Sequence, residues 1–186
     1  MNVAIFASGS GSNAENIFKY FENIDSINIK FILSNKKDAY VLERAKKLNV
    51  KGLYFSKDKL SDSSSMLTFL NTNKIDLIVL AGYLKLIPEF LIESYPNKII
   101  NIHPALLPKY GGKGMYGMNV HKAVVENKEP ETGITIHYVN AKYDEGQIIA
   151  QYKCAVEKND SPEDIATKIH ELEMEYFPKV IERLLK

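Results

Sequence analysis

The sequence predicts an α/β fold: a doubly wound, mostly parallel central sheet with an antiparallel C-terminal hairpin and a long final helix. Three observations carry this expectation. Through the first hundred residues, short runs of strand formers alternate with stretches of helical period, the pattern of βαβ units. One run, "DLIVLAGY" (76–83), is apolar throughout, as suits a parallel strand covered on both faces. Beyond it, "TGITIHYVN" (132–140) and "QIIAQYKCAVE" (147–157) face each other across the polar "AKYDEG", and a helical pattern follows to the end.

The elements follow in order. "NVAIFA" (2–7) is a strand that runs at once into "SGSGSN", and from Asn13 the apolar Ile17, Phe18 and Phe21 recur at helical spacing. "INIKFILS" (27–34) is a second strand, and "DAYVLERAKKLN" (38–49) a helix with Asp38 placed to cap it. "KGLYFS" (51–56) is a short strand, "SDSSSMLTFLNTN" (61–73) a helix with a cap-rich start, and 76–83 the fourth strand. Pro88 opens another helix, and "KIINI" (98–102) is the fifth strand. "VHKAVVEN" (120–127) is a short helix, and the strand at 132–140 alternates as if half-buried. Asp160 or Ser161 caps the final helix, with Pro162 at its start and Ile165, Ile169, Leu172 and Tyr176 on one face.

Composition narrows the function classes. The 186 residues fit one domain, 1–186, and the 45% apolar and 25% charged content is that of a soluble globular protein. With 24 basic and 23 acidic residues, the chain lacks the charge footprint of a nucleic-acid or anionic-membrane binder. The N-terminal "MNVAIFASGSGSN" has no basic n-region and too short an apolar run for a signal peptide. No stretch approaches the ~20 apolar residues of a membrane-spanning helix. Cys154 is the only cysteine, so no intrachain disulfide forms and a reducing, cytoplasmic setting is expected.

The glycine loop sits between a strand and a helix, where glycines let backbone approach a ligand and the helix start offers free N–H groups. Gly9, Gly11 and Ala14 satisfy G-x-G-x-x-G/A, but the acidic ribose ligand expected after the second strand is replaced by Leu33-Ser34-Asn35 and two lysines. No Lys-Ser/Thr follows the glycines, so a P-loop is excluded too. A single phosphate held by Gly11, Ser12 and Asn13 suits the residues better than a dinucleotide.

In open α/β sheets ligands bind outside the carboxyl ends of the strands. Three segments lead to that edge: the glycine loop, "AGYLKLI" after the fourth strand, and "NIHPALLPKYGG" after the fifth. Asn101 and His103 are two residues apart in a strand and should point the same way. Histidine exchanges protons near neutral pH, and a carboxamide N–H can stabilise a developing oxyanion, a pair suited to acyl-type transfer. Asp144, in "YDEGQ" (143–147), is either the carboxylate that tunes His103 upward or a plain turn residue before Gly146. Cys154 lies in an apolar strand, no G-x-S-x-G elbow occurs, and the four histidines lack metal-ligand spacing, so no metal site is expected.

These blocks carry a resemblance. "FASGSGSN", "LAGYLKLI", "NIHPALLPKYGG", "TGITIHYV", "YDEGQII" and Glu173 to Pro178 in the last helix resemble, in order, the glycinamide ribonucleotide formyltransferases, folate-dependent enzymes of purine biosynthesis. The resemblance implies a Rossmann-like formyltransferase fold, 10-formyltetrahydrofolate as co-substrate and glycinamide ribonucleotide as acceptor. It places Asn101, His103 and Asp144 on the catalytic trio, Gly11, Ser12 and Asn13 on the substrate phosphate loop, and Glu173 on the substrate ribose contact. His170 stands where relatives often carry Gln or Lys and is a further candidate substrate contact. Leu84, Lys85, Leu86 and Ile87, with Asn101 and with Asn140, Ala141, Lys142, Tyr143 and Asp144, fall on the segments that cradle the folate pterin. The long loop 111–121 leaves the role of His121 open. A monomer or weak homodimer is expected, with no nucleic acid and no membrane among its partners.

Three rival readings fit less well. A methionyl-tRNA formyltransferase would call for a further C-terminal domain and a basic RNA-facing surface. A formyltetrahydrofolate hydrolase would call for an N-terminal regulatory module. A non-catalytic nucleotide-binding module or dehydrogenase leaves Asn101, His103 and Asp144 unexplained.

Overall fold

The computed structural model describes residues 1–186. Seven strands follow the order β3-β2-β1-β4-β5-β6-β7 along the sheet. The chain forms two compact units, Met1–Ile100 with Leu185–Lys186, and Asn101–Leu184. No helix is long and apolar enough to cross a membrane.

In the first unit β1 (Asn2–Phe6), β2 (Asn28–Ser34), β3 (Gly52–Tyr54) and β4 (Leu77–Leu80) pair in parallel. Val3, Ile5 and Phe6 of β1 have no solvent exposure, as a strand flanked on both sides must. The chain winds outward from β1 through β2 to β3, then returns to β4 on the other side of β1. That reversal is the switch point of a doubly wound sheet, the place where such folds bind ligands. Helix α1 (Ser12–Phe21) packs on α2 (Tyr40–Lys47), and α4 (Ser63–Thr72) on α5 (Glu89–Ser94). Ala14, Ile17 and Phe21 form the buried stripe of α1, three to four residues apart.

Two local expectations are corrected here. Helix α2 begins at Tyr40 with Ala39 as its N-cap and no side-chain cap, so Asp38 stands one residue too early to reach the free N–H groups. A five-residue helix, α3 (Lys57–Ser61), precedes α4, too short to show a period in the sequence. Asp62 ends α3 and caps α4, its carboxylate accepting from Ser65 N at 3.1 Å.

The fifth strand, β5 (Ile99–His103), ends inside the second unit, which also holds α6 (Met118–Glu126), β6 (Glu131–Tyr138), β7 (Ile148–Ala155) and α7 (Pro162–Leu185). Strands β6 and β7 are antiparallel, from Glu131 opposite Ala155 to His137 opposite Ile148. Ser161 is the cap of α7: its Oγ accepts from Asp164 N at 3.1 Å while the Asp164 carboxylate accepts from Ser161 N at 2.9 Å, a reciprocal box. The buried stripe of α7 holds Ile165 and Ile169 as expected, then drifts to Phe177, Val180 and Ile181. Leu172 and Tyr176 are only half-buried, and Tyr176 stacks on Tyr152 instead, ring centroids 3.8 Å apart. Strand β6 is not half-buried: Thr132 through His137 are all buried. Its polar residues alternate because Thr135 and His137 make internal hydrogen bonds, not because one face meets water.

Candidate active site

In the first unit, Gly11 is the N-cap of α1 with φ 80°, a left-handed conformation that side chains tolerate poorly. A Cβ at Gly11 would collide with the Val41 side chain of α2. The glycine is therefore required by packing of α2 on the loop as well as by any ligand. Arg44 reinforces the loop, donating from Nε to Ser10 O at 2.8 Å and pairing with Glu15 of α1. Ser12 and Asn13 form the first turn of α1, and the Asn13 side chain is buried. Ser8 ties this loop to the segment after β4: its N–H donates to Gly82 O at 3.0 Å, and its Oγ accepts from Leu84 N at 2.9 Å. The same hydroxyl donates to Asn35 Oδ1 at 2.6 Å. Asn35, at the place where a dinucleotide site would carry its acid, is thus engaged by the scaffold. Leu84, Lys85 and Leu86 project into solvent while Ile87 is buried, leaving an exposed apolar loop with a fixed backbone. Tyr83 packs edge-on against Phe6, and burial pushes its hydroxyl up to about 12.

In the second unit, the Asp144 carboxylate gathers the other predicted residues. His103 Nδ1 lies 3.5 Å from its Oδ2 and Asn101 Nδ2 3.5 Å from its Oδ1. Gly112 N donates to Oδ2 at 3.0 Å. Asp144 has φ 56°, a strained position that Asp tolerates better than most residues. Asp144 therefore stands beside His103 and Asn101, its carboxylate turned toward both. The other nitrogen of His103, Nε2, lies 2.7 Å from Tyr110 O, a carbonyl that can only accept. Both ring nitrogens thus face oxygen acceptors, an environment that fits an imidazolium.

Burial opposes that charge. It pushes the His103 pKa below its ordinary value, despite the upward pull of the Asp144 charge, the Tyr110 carbonyl and Glu173. The expectation that Asp144 lifts His103 above an ordinary histidine is corrected: the carboxylate pulls upward, but desolvation of a nearly inaccessible ring outweighs it. Asp144 is also desolvated, which raises its pKa, but the neighbouring His137 and His103 rings and the Gly112 N–H more than compensate and hold it below the usual carboxylate range.

The loop after His103 is fastened from below. Thr135 Oγ1 accepts from Leu107 N at 3.0 Å and donates to Ala105 O at 2.6 Å. Gln151 Nε2 donates to Leu107 O at 3.0 Å and to Thr135 Oγ1 at 2.9 Å. The segment Asn140, Ala141, Lys142, Tyr143 and Asp144 is the β6–β7 connection, where Asn140 Oδ1 accepts from Lys142 N at 3.0 Å in an Asx turn. Gly146 permits close backbone approach there, since a Cβ would strike the Tyr138 carbonyl. On α7, Glu173 is largely buried; it raises the pKa of His170, whose Nδ1 lies 3.6 Å away, and pulls upward on His103 and His121 without overcoming their burial. His121 is buried on α6, and burial pushes its pKa down. No group of three or more His, Cys, Asp or Glu is disposed to hold a metal ion.

Sequence reasoning missed His137, the Tyr110 carbonyl and the Gly112 N–H. His137 has a signal in hindsight: it follows Thr135 by two residues, and each is a polar residue flanked by apolar or aromatic ones. The two backbone groups carry none, since any residue supplies a carbonyl or an N–H.

The family model described as Formyl transferase matches residues 1–181. A phosphoribosylglycinamide formyltransferase of Arabidopsis thaliana, chloroplastic, is 40% identical over 99% of this chain, and the chain spans 66% of that relative, just under two thirds. The Bacillus subtilis phosphoribosylglycinamide formyltransferase is 37% identical over 98% of this chain and 93% of its own length. The crystal structure of glycinamide ribonucleotide transformylase 1 from Geobacillus kaustophilus superposes with a TM-score of 0.89 at 36% identity, covering 100% of this chain and 98% of that one. Matched nearly end to end, with Asn101 and His103 gathered around the Asp144 carboxylate, the chain belongs to the formyl transferase family.

Proposed function

We propose that this chain transfers a formyl group from 10-formyltetrahydrofolate to the amino group of N1-(5-phospho-D-ribosyl)glycinamide. The products are the N2-formyl compound and tetrahydrofolate, a step of de novo purine (IMP) biosynthesis. The carrying observation is the Asp144 carboxylate with His103 at 3.5 Å and Asn101 at 3.5 Å, two nitrogen donors on one strand aimed at one anion. The donor set fits the reaction. As the substrate amine forms the new C–N bond, the formyl carbonyl becomes an oxyanion. Asn101 Nδ2–H and protonated His103 stabilise that charge, and Asp144 orients the ring. The old C–N bond then breaks, and the proton given up by the attacking amine passes to the leaving folate nitrogen. Burial disfavours the free imidazolium, but the developing oxyanion adds a second negative charge beside it and favours the proton when it is needed. To meet that oxyanion, His103 Nε2 exchanges its Tyr110 carbonyl partner while Nδ1 stays on Asp144.

The remaining assignments are part of the same proposal, supported by local geometry and by the likeness to the family. Gly11, Ser12 and Asn13 hold the substrate phosphate at the start of α1. Glu173 accepts from ribose hydroxyls, with His170 beside it. The exposed apolar Leu84 to Ile87 loop, Asn101 and the Asn140 to Asp144 connection cradle the pterin, largely through backbone. The chain acts as one formyltransferase domain, as a monomer or weak homodimer in the cytoplasm, with no nucleic-acid or membrane partner. Release of tetrahydrofolate from the formyl donor, followed with and without glycinamide ribonucleotide, tests this reading. Turnover should depend on the acceptor; equal release without it would make the chain a hydrolase.

A further inference from the structure

His137 belongs to no catalytic assignment above, yet it is the third polar side chain at the Asp144 carboxylate. It is 2% exposed, so water does not satisfy it. Its Nδ1 lies 2.8 Å from the Tyr138 carbonyl, and its Nε2 lies 3.1 Å from Asn101 Nδ2. A carbonyl only accepts, so Nδ1 carries the proton. In a neutral ring Nε2 is then bare and must accept, which obliges Asn101 to present its NH₂ and not its carbonyl oxygen. A second proton on His137 would set Nε2–H against that NH₂, donor against donor. Asp144 Oδ1 lies 3.7 Å from Nε2, farther than Asn101 Nδ2 at 3.1 Å, so the amide is the closer partner. The geometry thus selects one tautomer of His137 and one orientation of the Asn101 amide.

We propose that His137 is a positioning residue that acts through Asn101. Its bare Nε2 fixes one N–H of the carboxamide, and the second N–H, held only loosely toward Asp144 at 3.5 Å, is the one that turns to the formyl oxygen. Without the imidazole only the long Asp144 contact at 3.5 Å distinguishes the two ends of the amide, and the flipped form sets an oxygen against a developing oxyanion. This inference rests on Asn101 being the oxyanion donor of the proposed reaction.

Two measurements test it. Long-range ¹H–¹⁵N spectra of the full chain should show a His137 proton on Nδ1 and a bare Nε2; a proton on Nε2 overturns the proposal, whatever the variants do. In kinetics, His137→Leu should lower kcat by about tenfold or more, with KM for both substrates within about threefold. On an Asn101→Ala background the same change should cost less than about twofold, because the group through which His137 acts is gone. His137→Gln, whose side-chain oxygen can accept from Asn101, should recover part of the loss. An equal fold loss in both backgrounds, or wild-type kcat in His137→Leu, overturns the proposal. If Asn101→Ala itself keeps wild-type turnover, the functional reading fails, while the spectra still judge the His137–Asn101 contact on its own.

Discussion

Replacing Gly11 with alanine probes the glycine loop, and the packing around it sets the consequence. A side chain added there does not point into ligand space; it runs into the Val41 side chain and backbone of α2. Two penalties add. Alanine at φ 80° sits in the left-handed region, which costs roughly 1–2 kcal/mol for a residue with a Cβ. Forcing a methyl against Val41 overpacks a closed contact, about 1–3 kcal/mol more. The sum of about 2–5 kcal/mol is a large share of an ordinary domain stability of roughly 5–15 kcal/mol. For a chain of this size, 1 kcal/mol moves the melting temperature by about 2–4 °C, so Gly11→Ala should melt about 4–20 °C below wild type. Circular dichroism melts with and without glycinamide ribonucleotide measure both stability and residual binding. Val41→Ala removes the closest clashing atom, so the double variant should be more stable than the sum of the two single losses, by about 0.5 kcal/mol or more. A Gly11→Ala protein that melts within about 1 °C of wild type would refute the reasoning, because it would show the Cβ accommodated without displacing α2.

Other perturbations read different parts of the account. Asp144→Asn removes the charge that pulls the His103 pKa upward, so turnover at neutral pH should fall and partly recover as the pH is lowered; a pH–kcat profile that keeps its shape refutes that role. Thr135→Val strips the loop after His103 of two buried hydrogen bonds and Gln151 of a third, and leaves the Leu107 N–H unpaired, which should destabilise by roughly 2–5 kcal/mol in a denaturant titration. Glu173→Gln should raise KM for glycinamide ribonucleotide while leaving the folate KM near wild type, and should lower the pH at which His170 titrates by NMR. Because His103 and His121 are both held below the ordinary histidine pKa, the unfolded chain takes up protons before the native one as the pH drops. Stability should therefore decline as the pH falls below about 6.5, and His121→Gln should weaken that decline.

Strand and helix order was legible because the apolar periods of β1, β2 and β4 leave no alternative on either side of their turn residues. Asn101, His103 and Asp144 were legible by type and place, since strand geometry sets Asn101 and His103 on one face. What the residues could not convey was the balance at His103. A carboxylate beside an imidazole argues for a raised pKa, whereas burial of the ring is a property of the whole second unit and not of any local pattern. The same limit explains β6, whose alternation of Thr135 and His137 with apolar residues reads as a wet face until their internal partners are known. Asp38 failed as a cap for a smaller reason: one residue of offset at a helix start is below what composition resolves.

The central claim is that His103 and Asn101 act on the transition state of formyl transfer rather than on substrate affinity. Single-turnover formyl transfer by wild type, His103→Ala and Asn101→Ala, with dissociation constants for both substrates measured on the same proteins, tests it most directly. Binding should stay within a few-fold of wild type in each variant, while the transfer rate should fall by about 10²-fold or more. Transfer near the wild-type rate in His103→Ala, or a loss carried wholly by weakened binding, would contradict the account.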